Sequence, residues 1–125
     1  MNVSDIPYEL TFDKRPNYLY AVIKADSIDR HTALRYLQEL ADKCTEVNAE
    51  RVMLERRIPA TMSDADTYLI IQDITRLIGP RRMAVVNPYD SNSEAMAFGN
   101  LVGANRGLPY RVFDSSDDAE AWLLG

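Results

Sequence analysis

The chain has almost no cysteine or histidine, since Cys44 and His31 are the single representatives among its 125 residues. A lone cysteine excludes an internal disulfide, which fits the reducing cytoplasm that we expect as the location of the protein. Metal sites of the usual kind need several Cys or His ligands. The composition therefore predicts no metal, and the sequence suggests no other cofactor.

Long apolar runs and an excess of basic residues are also missing. No run approaches the roughly 20 apolar residues of a membrane span, and residues 1–7 lack the basic start and apolar core of a signal peptide. The 19 acidic against 14 basic side chains give a net charge of −5, and Arg56–Arg57 and Arg81–Arg82 are pairs rather than a basic stripe. We therefore expect no nucleic-acid partner and no membrane span.

Motifs that carry known chemistry are absent as well. The sequence contains no phosphate-binding loop, no Gly-x-Gly-x-x-Gly, no Gly-x-Ser-x-Gly, no His-Glu-x-x-His and no Cys-x-x-Cys. An enzyme would have to use Ser63, His31 and Arg57, and nothing in the pattern brings these three together. His31 falls in the first turn of a predicted helix, and Cys44 falls on the apolar stripe of that helix as a core residue. We expect a protein that is not an enzyme.

What the chain does have is a regular alternation of strand and helix patterns. Its length fits one domain over residues 8–125, behind a mobile polar arm at residues 1–7. The first two strands are close enough in sequence to form an antiparallel hairpin, and each later strand follows a helix, which favours parallel pairing. We predict an α/β fold of order β-β-α-β-α-β-α-β-α, with a mixed, mostly parallel five-stranded sheet in which the second and third strands are neighbours. The predicted strands are Tyr8–Asp13, Tyr18–Ala25, Arg51–Glu55, Arg82–Asn87 and Tyr110–Asp114.

The centre of this plan is the unit from Arg51 to Gly79, which reads as a strand, a loop and a long helix. Pro59 interrupts the strand pattern, so residues 56–62 are predicted to form the loop, and Ser63 can cap the helix. The apolar stripe of the helix consists of Tyr68, Ile71, Ile74, Leu77 and Ile78. Leu69 and Ile70 fall outside the stripe, which predicts extra exposed apolar surface and a homodimer.

Three further helices complete the pattern, and the last of them is a short helix capped by Ser115 or Ser116. The first helix is predicted over about Ile28 to Val47. The third helix is predicted to be capped by Ser93 and to end at Gly107, with its apolar residues facing inward, among them Phe98, Leu101 and Val102.

Polar side chains follow several predicted strands at the edge where the strands end. Ligands of open α/β sheets bind at this carboxyl edge, so a small anion or polar ligand is one interpretation. The alternative is a set of solvated loop residues with no ligand. The residues concerned are Asp26, Arg56, Arg57, Asn87, Tyr89 and Asp114.

Several stretches give the chain a family resemblance: Tyr18–Ala25, Arg51–Glu55, Arg82–Asn87, Asn105–Phe113 and Ala119–Leu123. In these the chain resembles the STAS domain of sulphate transporters and anti-sigma-factor antagonists, and especially the small bacterial stand-alone STAS-like proteins, some grouped with lipid-carrying SEC14-type domains. The resemblance implies a STAS-like fold. It also implies that Ser63 matches, by position, the serine that is phosphorylated in regulatory members, although the family's Asp-Ser-Ser-Gly-type motif is absent here.

Two functions follow as expectations. The first is a non-enzymatic regulatory module that binds a protein partner or a second copy of itself through a helix face and the loop at residues 56–62. The alternative is a carrier or sensor of a small anion, lipid or apolar ligand, with a cavity between helix and sheet that opens near Arg57.

Overall fold

A computed structural model describes residues 8–60, 62–89, 93–105 and 109–125. The elements follow the predicted order. They are β1 (Glu9–Lys14), β2 (Leu19–Lys24), α1 (Arg30–Val47), β3 (Arg51–Arg57), α2 (Asp64–Ile78), β4 (Arg82–Val86), α3 (Ser93–Asn105), β5 (Tyr110–Phe113) and α4 (Ser116–Leu124). The predicted arm at residues 1–7 and the predicted helix end at Gly107 lie outside the described residues.

The strands of the described chain form one five-stranded sheet in the order β1-β2-β3-β4-β5. β1 runs antiparallel to β2, and the other neighbours are parallel, as predicted. The order that the sequence left open is therefore simply the order of the chain. One row of paired residues crosses the whole sheet, namely Phe12, Ala21, Leu54, Val85 and Val112.

The helices divide between the two faces of the sheet. α1 and α2 pack on one face, where Leu37, Leu40 and Ile74 join the main core cluster with Leu54 and Val85. α3 packs beside α2 and against β5 on this same face. α4 covers the other face over β3, β4 and β5. No helix within the described residues has both the length and the apolar character needed to cross a membrane.

Local sequence fixes where the helices start. The side chains of Asp29, Ser63 and Ser115 accept hydrogen bonds from the backbone N–H three residues later, at 2.8, 3.1 and 3.2 Å respectively. These bonds satisfy N–H groups that have no partner inside the helix. α1 therefore begins at Arg30, two residues later than predicted, because Asp29 is the cap. Its other end is closed by Asn48, whose left-handed backbone (φ 56°) directs its N–H to the carbonyls of Cys44 and Thr45.

The strand β3 is longer than predicted, and this corrects the placement of both of its arginines. Arg56 and Arg57 lie in the strand, not in the loop, where they pair with Ile23 and Lys24 of β2. β2 continues alongside and offers backbone partners up to this point. The strand stops only shortly before Pro59, which has no N–H to donate.

The apolar faces of α2 and α3 also differ from the prediction. Ile70 is only 8% exposed and belongs to the core, whereas Tyr68, which was placed on the buried stripe, is 42% exposed. The inward side of α2 is thus centred on Ile70, Ile71 and Ile74. On α3, Leu101 is 57% exposed and does not face inward as predicted. Ile70 therefore adds no exposed apolar surface to α2, whereas Tyr68 does.

The outer strand β5 is protected by a side chain of α3. The Asn100 amide donates to the carbonyl of Val112 at 3.2 Å, and its oxygen accepts from the N–H of Val112 at 2.7 Å. Both backbone groups would otherwise stay unpaired on the free edge of the sheet. Asn100 therefore takes the place of a further strand at this residue.

Candidate functional site

The polar residues predicted at the carboxyl edge of the sheet separate into two groups. Asp26, Arg57 and Tyr89 line an open groove of about 660 Å³. Arg56 and Asn87 line a smaller cavity between the sheet and the helices α1, α2 and α3. The predicted edge site is therefore two sites, and Asp114, exposed after β5, lines neither of them.

Strand geometry explains why neighbouring arginines serve different sites. Successive side chains of a strand point to opposite faces of the sheet. Arg56 shares the parity of Leu54 and therefore points to the side of α1 and α2, while Arg57 shares the parity of Glu55 and points to the other side. Read as loop residues, the two arginines looked equivalent, and only their inclusion in β3 distinguishes them.

The cavity is small and mostly apolar, with a volume of about 90 Å³. Its apolar wall comes from the sheet and from α2, chiefly Leu54, Ile70, Ile71, Ile74, Met83, Val85 and Val112. Its polar groups are the guanidinium of Arg56, the side chains of Thr67 and Asn87, and the phenols of Tyr36 and Tyr110. An apolar recess with a few polar groups is the usual make-up of a small-molecule site.

Arg56 is the charged group of this cavity. Its two terminal nitrogens donate to the carbonyls of Ile58 and Ala60, at 2.9 and 3.2 Å, and so fix the turn that follows β3. Among the described residues no carboxylate lies within ion-pair distance of Arg56. A guanidinium has five N–H donors. The half-buried Arg56 therefore retains donors and an uncompensated positive charge at an apolar recess.

Two phenols lie near this charge, that of the buried Tyr36 and that of the half-buried Tyr110. Burial raises the pKa of Tyr36, and the charge of Arg56 opposes the shift. Burial also raises the pKa of Tyr110, with a further contribution from the neighbouring Tyr36 and an opposing one from Arg56. Both hydroxyl groups therefore keep their protons at neutral pH and can donate hydrogen bonds.

Asn87 shapes the chain beside the cavity. It is 6% exposed, and its N–H donates to the carbonyl of Phe113 at 2.8 Å, which extends the pairing of β4 with β5. Its side-chain oxygen accepts from the N–H of Tyr89 at 3.3 Å. This bond turns the chain after β4, so that Asn87 lines the cavity while Tyr89 lines the open groove.

Arg57 in the open groove is already neutralised. Its guanidinium forms an ion pair with Glu55, and the same carboxylate accepts a hydrogen bond from the Tyr20 hydroxyl at 2.9 Å. The hydrogen bond to Glu55 is also the main reason why the pKa of Arg57 is raised. An anion in this groove would compete with Glu55, which makes Arg57 a weaker anion ligand than Arg56.

Ser63 is the cap of α2. Its hydroxyl oxygen accepts from the Asp66 N–H, and Asp64 and Asp66 place two carboxylates in the first turn of the helix. No hydrogen bond joins Ser63 to Arg56 or Arg57 within the described residues. A phosphate on Ser63 would meet these two negative charges, and its phosphorylation stays a prediction.

No protein-family model matches this chain, and no curated protein matches it. Membership of the STAS family therefore stays a prediction, drawn from the stretches that resemble the family. The described order of strands and helices agrees with the α/β class of that prediction.

The residues considered for catalysis take separate roles. His31 is exposed in the first turn of α1, Ser63 caps α2 and Arg57 pairs with Glu55. Cys44 is buried in the core, and this burial raises the pKa of its thiol. No group of metal-binding side chains was found among the described residues.

Sequence reasoning missed the tyrosines of the cavity. Tyr36 lies one turn from Ala33 and Leu40 on the apolar side of α1, so its spacing could have marked it as an inward phenol. Tyr110 begins β5, and only the packing of α3 against that strand brings it to the cavity.

Nothing in the sequence indicated a buried carboxylate on α2. Asp73 is only 5% exposed, and it pairs with Arg30 at 3.3 Å and with Arg76 at 3.4 Å.

Proposed function

We propose that this protein is a non-enzymatic binding module whose cavity takes a short-chain carboxylate. The carboxylate head binds the guanidinium of Arg56, and the apolar tail lies against Leu54, Ile71 and Val85. This is a narrower form of the small-ligand carrier or sensor expected from the sequence, with Arg56 in the place that the sequence suggested for Arg57.

The uncompensated charge of Arg56 is the observation that carries the proposal. A charge removed from water is costly unless an opposite charge or good hydrogen bonds replace the lost hydration. Arg56 has two carbonyl partners and no carboxylate in the described part of the chain. A ligand carboxylate would supply the missing charge, and the planar guanidinium suits a carboxylate with two parallel hydrogen bonds.

The size of the cavity limits the tail. At about 90 Å³ it is smaller than ordinary ligand pockets, and smaller than an engineered cavity of about 150 Å³ that binds benzene in another protein. Since a water molecule takes about 30 Å³, there is room for roughly three buried heavy atoms. Propionate or butyrate fits this space, with its head at Arg56, whereas a long acyl chain does not.

The protein-partner and homodimer expectation is a separate matter. Its sequence basis was the apolar surface of α2, and Ile70 has turned out to be in the core. Ile70 therefore lends no support to self-association, which stays a prediction. Sedimentation equilibrium over a wide concentration range tests it independently of any ligand.

The binding proposal is tested by titrating the 15N-labelled protein with butyrate and following backbone amide shifts. We expect saturable shifts at Arg56, Ile71 and Tyr110, and no comparable shifts with butanol, which lacks the charge. Arg56→Gln should weaken butyrate binding about tenfold or more, because it removes a charged hydrogen-bonding partner. Arg56→Lys keeps the charge and should give an intermediate affinity.

The matched control is Arg57→Gln, which makes the same substitution on the adjacent residue. Arg57 points into the open groove and is paired with Glu55, so this variant should bind butyrate as the wild type does. Equal losses in both arginine variants would show that only the overall charge matters. No saturable shifts in the wild-type protein would reject the proposal directly.

A further inference from the structure

A second pair of arginines lies at the opposite, amino edge of the sheet. Arg51 opens β3 and Arg82 opens β4, and the two residues are direct partners in the parallel register. Both share the parity of side chains that face α4, since Met53 and Ala84 pack there. Neighbouring strands are only about 4.8 Å apart, so the register places two positive side chains next to each other.

Arg82 is held in place by the single tryptophan of the chain. Its guanidinium carbon lies 4.1 Å from the centre of the Trp122 ring, and a terminal nitrogen donates to the Trp122 carbonyl at 2.6 Å. The inner nitrogen of the same guanidinium is buried and has no hydrogen-bond partner among the described residues. Arg82 is thus stacked on an aromatic face, held by a hydrogen bond and incompletely satisfied.

Arg51, in contrast, has a side chain without fixed partners. No hydrogen bond or ion pair joins its guanidinium to another described residue. Like charges directly opposite each other in a sheet are destabilising. The pair therefore remains adjacent without any carboxylate of the described chain between its members.

The two arginines line an open groove of about 620 Å³ with a third one, Arg81. Arg81 donates to the carbonyls of Ala49 and Ile78 at 2.9 and 2.8 Å, so it anchors the ends of α1 and α2 to the start of β4. Among the described residues, Glu50 supplies the single carboxylate in the groove lining, and it forms no ion pair with these arginines. Three cations against one anion make this groove positive on a chain with a net charge of −5.

We infer that this groove is a binding site for a dianionic phosphate group, free or as a small phosphate monoester, held between Arg51 and Arg82. Arginine suits this chemistry because its planar donors match phosphate oxygens in pairs. A phosphate would relieve the repulsion between the two guanidinium groups and can accept from several donors at once. The site is independent of the cavity at Arg56, which lies at the other end of the strands.

The single tryptophan makes the site easy to observe. Trp122 is the only one in the chain and lies directly under Arg82, so its fluorescence reports on this groove. Wild-type protein is titrated with inorganic phosphate and, separately, with glycerol phosphate, against potassium chloride at matched ionic strength. We expect a saturable change of fluorescence, together with amide shifts at Arg51 and Arg82, in both phosphate titrations. Tighter binding of glycerol phosphate would identify an ester as the preferred source of the phosphate.

Two variants in the groove should change the affinity in opposite directions. Arg51→Gln should weaken phosphate binding about tenfold or more through the loss of a charged hydrogen-bonding group. Glu50→Gln should strengthen it about threefold, because it removes a repelling charge from the lining of the groove. Neither side chain has a described packing or ion-pair role, so both variants should fold.

Arg35→Gln is the charge-matched control, since Arg35 lies on α1, over the ring of Tyr8. It should leave phosphate affinity unchanged. The site is rejected if the wild-type protein shows neither a saturable fluorescence change nor saturable amide shifts with either phosphate. It is also rejected if Arg35→Gln weakens binding as much as Arg51→Gln, because that result means non-specific attraction.

Discussion

Two glycines of α3 should respond oppositely to the same substitution. A methyl group added at Gly99 would meet the Tyr110 hydroxyl and Val112 at 3.8 Å and Ile71 at 3.9 Å, which are ordinary contacts. A methyl group added at Gly103 would lie 3.0 Å from a ring carbon of Tyr110. Few Cβ atoms in proteins lie as close as 3.0 Å to a neighbouring atom. We therefore expect Gly99→Ala to stabilise the protein and Gly103→Ala to destabilise it.

The expected change in the free energy of unfolding is the sum of two contributions for each variant. Replacing glycine by alanine inside a helix gains about 0.5–1 kcal/mol at either position, because the unfolded chain loses freedom. At Gly99 the new methyl also buries apolar surface, worth up to about 0.8 kcal/mol. At Gly103 overpacking against the Tyr110 ring costs about 1–3 kcal/mol. The free energies of unfolding of the two variants should therefore differ by about 2 kcal/mol.

Urea unfolding followed by circular dichroism measures this difference. For a chain of this length each kcal/mol corresponds to roughly 4 °C in melting temperature, so thermal unfolding gives a second measurement. Ala97→Gly, at an exposed position of the same helix, calibrates the helix contribution alone and should cost about 1 kcal/mol. If Gly103→Ala were as stable as Gly99→Ala, the close approach of α3 to β5 would be refuted.

Gly99→Ala has a second expected effect, which rests on the proposed function. Gly99 lines the cavity at Arg56, so the added methyl should occupy part of the space for a carboxylate tail. Butyrate affinity should fall while stability rises. The butyrate titration of this variant separates loss of space from loss of fold, because the variant is expected to be more stable than the wild type.

Two further predictions concern the edge strand and alkaline pH. Asn100→Leu leaves the N–H and carbonyl of Val112 without their partners and should cost about 2 kcal/mol in urea unfolding; a loss below about 0.5 kcal/mol would contradict the role of Asn100. Burial raises the pKa of Tyr8 to about 12 and also raises those of Tyr36 and Tyr110 above 10.0. The folded chain holds these protons more tightly than the unfolded one, so their contribution to stability is complete below about pH 10 and falls as the pH rises further; the part that Tyr8 contributes is lost as the pH passes about 12. Urea unfolding at stepped pH, with tyrosinate absorbance, checks this, and constant stability up to pH 12 would count against it.

The order of elements and most helix starts could be predicted because they depend on neighbours in sequence. The cap at Ser63 and the stop at Gly79 act within one helical turn, and the alternation of Tyr8, Leu10 and Phe12 is a property of a single strand. Such features need no partner from elsewhere in the chain. The mixed sheet with its antiparallel hairpin was also predicted correctly, because a short link favours an antiparallel pair and a helical crossover favours a parallel one.

The predicted end of β3 was wrong because the length of a strand depends on the neighbouring strand. Arg56 and Arg57 have no apolar pattern of their own, and they join the sheet because Ile23 and Lys24 of β2 lie beside them. This extension sends the two side chains to opposite faces. The placement of Arg56 in the cavity and of Arg57 in the groove followed from that single difference.

The sequence by itself therefore determined the α/β class, the order of the elements and the capped ends of the helices, because hydrophobic periodicity and capping are local. Only the tertiary structure decided which side chains meet. It brought Arg56 to the tyrosines of α1 and β5, and it set Arg51 directly beside Arg82 on the next strand. Those contacts join residues distant in sequence, and they are fixed by strand register and by the packing of helices on the sheet, which no local pattern encodes.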